Sequence, residues 1–270
     1  MARSESGAIG KSRGPSQGEV PSAIPVSLSH VLEDDPDLHD RVPEQDRPRA
    51  LTDVVARVET LEIGTWDEPD SPENTRDGFG LLVLDGLLAR RVTLGRFDCT
   101  ELLGQGDLLR PWSFAGAAAA SVPSQVTWNV VEPVRLASLD RRFALAVAPW
   151  PELSAALMDR IVQRARWLAF QLAVCHVVRV DTRLLLMMWH FADRWGRMTK
   201  DGARVSLPVT HSVLASVVGA RRPSVTTALG RLQDDGLIER LPDGAWLLHG
   251  SPPEDFAAIE AEAVAYPGSA

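Results

Sequence analysis

The stretch Leu207–Gly250, LPVTHSVLASVVGARRPSVTTALGRLQDDGLIERLPDGAWLLHG, constrains this chain more than any other. Val213, Leu214, Val217 and Val218 recur at helical spacing, so a helix over them has one apolar face, and Thr210 is its candidate cap. Gly219 supplies a turn. Pro223 suits the first turn of a second helix, where its missing N–H costs nothing. Val225, Leu229 and Leu232 form the buried stripe of that helix, and Gly236 ends it. Arg221, Arg222, Ser224, Thr226, Thr227, Ala228 and Arg231 are left at its start and on its other faces, small or basic residues able to approach a groove. Leu237–Arg240 and Ala245–His249 read as strands turning over Pro242-Asp243-Gly244. Two short helices followed by a hairpin are the pattern of a winged helix-turn-helix, which predicts DNA binding here.

At 270 residues the chain has room for two modest domains, each with its own core, and 45% hydrophobic with 24% charged residues is the balance of a soluble protein. No apolar run approaches the roughly twenty residues that span a bilayer, and the N-terminus lacks the apolar segment of a signal peptide. The expected compartment is the cytoplasm. Cys99 and Cys175 are too few to hold an iron-sulfur cluster and match no zinc spacing, so no metal or cofactor is expected and both thiols are expected to be buried and reduced. No convergent Ser/His/Asp set or phosphate-cradling Gly loop is present, so the chain is not expected to be an enzyme. The net charge of −8 does not suggest nucleic acid, yet Glu33, Asp34, Asp35, Asp37, Asp40, Glu44 and Asp46 lie outside the winged unit. Within it Asp234, Asp235, Glu239 and Asp243 oppose the arginines. DNA contact must therefore be local, salt-sensitive and modest without dimerisation.

Residues 1–25 are rich in Ser, Gly and Pro and read as a disordered tail; the acidic segment His30–Asp46 either continues it or forms a short helix around Val31 and Leu32. Short β-type segments begin near Leu51. They include Gly80–Gly86, Leu87–Leu94, Phe97–Leu103, Gln125–Val131 and Val134–Leu139, a spacing that predicts a small barrel or double-sheet roll. Pro151 to about Arg179 has no Gly or Pro and predicts a long helix. Ile161, Ala165, Leu168, Leu172 and Cys175 alternate steps of four and three along it, a coiled-coil seam suited to a homodimer. His176 beside Cys175 is expected to pack rather than to ligate. A further helix starts at Asp181, taken as its cap, and ends near Gly196; Met198–Pro208 reads as a polar connector.

A β-roll, a long helix, a connecting helix and a C-terminal winged unit, in that order over about Leu51–Gly250, resemble the Crp/Fnr family of bacterial transcription regulators. The resemblance is carried by Gly80–Gly86, Leu103-Gly-Gln-Gly-Asp-Leu-Leu109, Val180-Asp-Thr-Arg-Leu184 and above all Val209–Gly250. It implies an α+β chain divided into a tail (1–48), a cyclic-nucleotide-binding-like sensor roll of double-stranded β-helix type (49–148), a dimerisation helix (149–180), a winged DNA-binding domain (181–250) and a C-terminal tail (251–270). It also implies a dimer on palindromic double-stranded DNA, half-sites about 34 Å apart, and contact with RNA polymerase. A change at the roll would pass along the long helix and alter the spacing of two recognition helices.

By position, the resemblance places Arg222, Pro223 and Thr227 against bases or phosphate, with Arg222 reading guanine through paired donors. Pro223 and Thr227 stand where other members carry Glu and Arg, which implies a different base preference. Thr210, His211 and Ser212 would meet the phosphate backbone together with Arg221, and Ser224, Thr226 and Arg231 complete the candidate set. In the roll, the family's Gly-Glu and Arg-Ser or Arg-Thr pairs that hold a cyclic nucleotide fall on Arg110-Pro111 and Pro123-Ser124, so the phosphate arginine is missing. Arg110, Trp112, Pro123, Ser124 and Trp128 are the candidate effector-pocket residues, and their surroundings suit either an apolar effector or a filled interior. The rival reading is a cyclic-nucleotide or small-molecule signalling protein whose C-terminal domain binds protein.

Overall fold

The computed structural model describes residues 26–67, 77–110, 122 and 124–253 and has the α+β architecture expected. β1 (Val26–His30), α1 (Val31–Asp34), α2 (Pro36–Arg41), a 3-10 turn (Glu44–Asp46) and α3 (Arg47–Asp53) lead into the roll. The roll contains β2 (Val55–Leu61), β3 (Gly64–Trp66), β4 (Gly80–Leu94), β5 (Phe97–Leu103), β6 (Leu108–Leu109) and β7 (Gln125–Leu139). Its antiparallel sheet runs β1-β2-β7-β4-β5, with β3 also on β7 and β6 on β4.

β4 and β7 are each a single strand of 15 residues, not the pairs of shorter strands expected on either side of Gly86 and of Glu132-Pro133. The two irregular points face each other, with register shifts between Val83 and Leu88, so the ladder resumes instead of ending. Gly86 makes this possible: at φ 88° a Cβ would stand 2.1 Å from the Pro133 carbonyl oxygen. Along β4, Leu81 and Val83 turn into the roll with Leu88, Leu103, Trp128 and Leu136, while Leu82 and Leu84 turn outward against Val31, Leu38, Phe143 and Leu153. Both faces are buried, which is why this strand reads as a continuous apolar run.

That outer face needs a cover, and the segment before residue 49 provides it. The expected tail over 1–48 is therefore corrected from residue 26 onward; residues 1–25 lie outside the described residues. Val31, Leu32, Leu38 and Val42 are buried. Two acids of the run are tied down: Asp34 accepts two bonds from the Arg135 guanidinium at 3.0 Å. Asp35 caps α2 by accepting from the Leu38 N–H (3.1 Å) and takes two bonds from Arg160, at 2.5 and 2.7 Å.

After α4 (Arg141–Ala146) comes the long helix α5 (Pro151–His176), then α6 (Val180–Trp195). The N-cap of α6 is Arg179; Asp181, expected there, lies in the first turn and pairs with Arg179. The expected polar connector is instead a hairpin, β8 (Arg197–Thr199) and β9 (Gly202–Val205), because Ala203 and Val205 are buried in the core of the winged unit. α7 (His211–Val217), α8 (Arg222–Asp234), β10 (Ile238–Arg240) and β11 (Trp246–Leu248) follow, with a second sheet ordered β10-β11-β9-β8. One apolar cluster joins α6, α7, α8 and the wing to Leu87, Ala89 and Leu102 of the roll, so the winged unit is packed on the sensor. The thiols depart from expectation: Cys99, on an edge strand, is exposed, and Cys175 is half-buried. His176 is exposed as well.

Candidate nucleic-acid interface

The Thr210 hydroxyl caps α7 by accepting from the Val213 N–H at 3.3 Å. Gly219, at φ 61°, turns the chain into α8. Arg183 of α6 fastens that turn, donating to the Val218 and Gly219 carbonyls at 3.1 Å each. Val225, Ala228, Leu229 and Leu232 bury the inner stripe of α8. Ala228, counted by sequence among the outer positions, is thus a core residue, since its small side chain fits the close helix–helix approach.

Arg221, Arg222, Pro223, Ser224, Thr226, Thr227 and Arg231 are all exposed. The Thr226 and Thr227 hydroxyls donate to the carbonyls one turn back, those of Arg222 and Pro223, each at 3.2 Å. Thr226 Oγ1 also lies 3.0 Å from Nδ1 of the half-buried His211, so the start of α7 and the outer face of α8 form one surface with exposed Thr210 and Ser212. The acidic side chains of this unit lie away from Arg221 and Arg222, although Asp234 and Asp235 share the last turn of α8 with Arg231. Asp234 ends α8 about 18 Å from Arg222 at 1.5 Å rise per residue, Asp243 pairs with Arg204, and Glu239 lies 3.6 Å from His249 Nε2. That leaves Arg221 and Arg222 at the positive end of the helix dipole, an arrangement suited to phosphate. The wing lies where the sequence places it, but the sequence reading did not single out its Arg240, which is exposed and stacks 4.5 Å from the Trp246 ring centroid. Its only sequence signal was an arginine at the end of a predicted strand.

The seam residues do not all face the same way. Ile161 and Leu168 are 37% exposed and Leu172 64%, and Ala165 is exposed with Met158 and Val162 beside them. Cys175 instead turns inward, its Sγ 3.8 Å from the Val217 carbonyl oxygen. The adjoining flank of α5 is engaged in its own chain: Leu153 and Leu157 are buried, and Arg164 donates to both carboxylate oxygens of Glu101 at 2.7 and 2.8 Å.

Three of the candidate effector residues, Arg110, Ser124 and Trp128, are among the described residues. Trp112 and Pro123 lie outside the described residues. Ser124 is exposed, and Arg110 is half-buried. Trp128 is buried in the roll's interior and meets Trp66 edge-on at 5.6 Å. Among these described residues, Trp128 fills space instead of lining it.

Where the roll meets α6, the Asp107 carboxylate accepts from Arg194 (2.5 Å) and from the Gly104 N–H (2.7 Å). Burial pushes the Asp107 carboxyl up to about 6, outweighing the pull of Arg194, the Gly104 N–H and Arg164, with Glu101 adding to the rise. Burial likewise lowers Arg194. A carboxyl raised on folding stabilises the protein when protonated, so that contribution is complete below the usual carboxylate range and is lost as pH climbs through about 6. Thermal or urea unfolding is expected to show a loss of about 3 kcal/mol between pH 4 and 7 from this group, and Asp107→Asn is expected to flatten that dependence. An unaltered pH profile in the variant would show that Asp107 titrates normally.

These features meet in a fold already known. The model of the Crp-like helix-turn-helix domain matches residues 179–248, which cover α6 to the wing. The chain has the Crp/Fnr architecture, with a Crp-like helix-turn-helix domain. A CRP-like cAMP-activated global transcriptional regulator of Mycobacterium tuberculosis is 26% identical over 152 residues, 56% of this chain. The chain spans 66% of the length of that curated relative. Among solved structures, a CooA mutant from Carboxydothermus hydrogenoformans superposes with a TM-score of 0.55 at 16% identity, covering 77% of this chain and 87% of the other. FixK2 from Bradyrhizobium japonicum gives 0.52 at 12% identity, covering 72% and 93%. At these identities the likeness is one of fold. Among the described residues, no helix is long and apolar enough to cross a membrane.

Proposed function

We propose that this chain is a sequence-specific DNA-binding transcription regulator that acts as a homodimer. The observation that carries the reading is the single exposed surface made by Thr210–Ser212 and by Arg221, Arg222, Ser224, Thr226, Thr227 and Arg231, on a Crp-like helix-turn-helix domain. α8 enters the major groove, Arg222 reads a base through paired donors, and Arg221 with the start of α7 holds phosphates. Two chains pair along the exposed stripe of α5, which sets two half-sites about one helical turn apart, near 34 Å. Contact with RNA polymerase belongs to the same reading and rests on the family resemblance.

The roll acts as the sensor, and the positions that would hold a cyclic nucleotide's ribose and phosphate carry Arg110-Pro111 and Pro123-Ser124. The curated relative is described as cAMP-activated; lacking the phosphate arginine, this chain responds to a different signal.

Selection of bound sequences from a random DNA pool is expected to return an inverted repeat; recovery of asymmetric single sites alone would sink the dimer. On that operator Arg222→Ala is expected to weaken binding by about 1–3 kcal/mol and to relax preference at one base pair per half-site. Equal preference at every position in the variant would remove Arg222 from base reading.

A further inference from the structure

The contact between the roll and the winged unit carries buried polar groups beside its apolar cluster. On α7, the Ser216 hydroxyl is buried 2.7 Å from the Thr100 hydroxyl of β5 and donates to Asp98 at 2.9 Å. Gln171 of α5, also buried, donates through one amide nitrogen to the Thr100 carbonyl (2.7 Å) and the Val217 carbonyl (2.9 Å), joining roll, long helix and winged unit at one point. The other end of the contact is Arg194, in the last turn of α6. Its guanidinium lies between the rings of Trp167 and Trp195, 3.9 and 4.0 Å from their centroids, and reaches Asp107 and the Leu102 carbonyl. The turn that presents Asp107 is shaped to this partner: a Cβ on Gly104 would stand 2.8–2.9 Å from the Trp195 ring.

We propose that these groups form a releasable clasp, in which the Gly104–Asp107 turn of the roll holds α6 and, with it, the winged unit against the sensor of the same chain. An apolar contact of this size loses its water-driven attraction when opened, whereas carboxylate, guanidinium, amide and hydroxyl groups regain hydration on release. Burial disfavours the charges of both Asp107 and Arg194 in the docked state, which fits a fastening that sets register at little net gain in adhesion. A shift of the turn is therefore passed by Arg194 and Trp195 to α6, which packs against the recognition helix in one apolar cluster. This rests on the reading of the winged unit as the DNA-binding end.

Two variants test the clasp from opposite sides in the full-length protein. Gly104→Ala wedges the turn away from Trp195 and leaves the ion pair's own groups in place; Arg194→Gln removes the guanidinium and leaves the turn intact. Amide hydrogen exchange is expected to rise about tenfold or more in both variants over β5 and α7, with β4 and β7 staying within about twofold of the parent. Affinity for the selected operator is expected to shift about fivefold or more, in the same direction in both. Unchanged exchange at the junction, faster exchange spread evenly through the roll, or an opened junction with unaltered operator affinity would each overturn the proposal. If the parent protein binds no operator, the DNA-binding reading fails by itself, and the exchange pattern still decides whether the clasp exists.

Discussion

Replacing Leu168 and Leu172 together by glutamate is expected to convert the protein to a monomer and to lower operator affinity about a hundredfold or more. Both side chains are exposed in the single chain, at 37% and 64%, on a stripe that continues through Met158, Ile161, Val162 and Ala165. The roll covers Leu153, Ala156 and Leu157 of α5, while among the described residues the stripe keeps at least 37% of each large side chain exposed. Covering a leucine is worth about 1.5–3 kcal/mol, and a two-fold seam counts each position twice. Four carboxylates at that seam replace the gain with desolvation and like-charge repulsion. Once the chains separate, the second half-site no longer binds as an intramolecular event, which is the source of the large affinity loss. Sedimentation of the variant and titration of the operator check both parts. The variant's thermal stability as a monomer is expected to move little, because exposed substitutions away from core contacts rarely matter. A parent protein that sediments as a monomer would remove the seam.

Trp128→Ala is expected to cost about 3–5 kcal/mol in the unfolding of the roll. Trp128 is 4% exposed and packs edge-on against Trp66, in a cluster with Leu81, Leu88, Leu103, Leu109, Val130 and Leu136. Removing its ring leaves a cavity whose walls belong to long, bulged strands that cannot collapse independently of one another. Urea unfolding followed by tryptophan fluorescence and by circular dichroism measures the loss. A cost below about 1 kcal/mol would mean that the ring lines an open effector site, the other reading that the sequence allows.

Local chemistry made the winged unit legible in detail. The Thr210 cap, the Gly219 turn, the start of α8 near Pro223 and the turn at Gly244 each follow from backbone preferences that need no distant partner. The run without Gly or Pro announced α5, and steps of four and three picked out Ile161, Ala165, Leu168 and Leu172, all of which are exposed. Cys175 fell on the same period yet faces Val217, because α5 meets α7 near its C-terminal end and the seam is covered there.

What the sequence determined by itself, then, was the order of roll, long helix, connecting helix and winged unit, the exposed surface of the two-helix motif and the apolar stripe of α5, all of which arise from periodicity and caps within a few residues. Tertiary structure alone decided three other matters. Residues 26–48 are part of the roll because the outer face of β4 and β7 has to be covered, and nothing in the composition of an acidic segment reveals which surface it will cover. Asp34 and Asp35 find Arg135 and Arg160 across more than a hundred residues. Arg194 meets Asp107, and Gln171 meets Thr100 and Val217, only when the roll, the long helix and the winged unit are packed together. Such contacts carry no local signal, since a buried polar group is specified by the partners it satisfies and those partners become neighbours only in the folded chain.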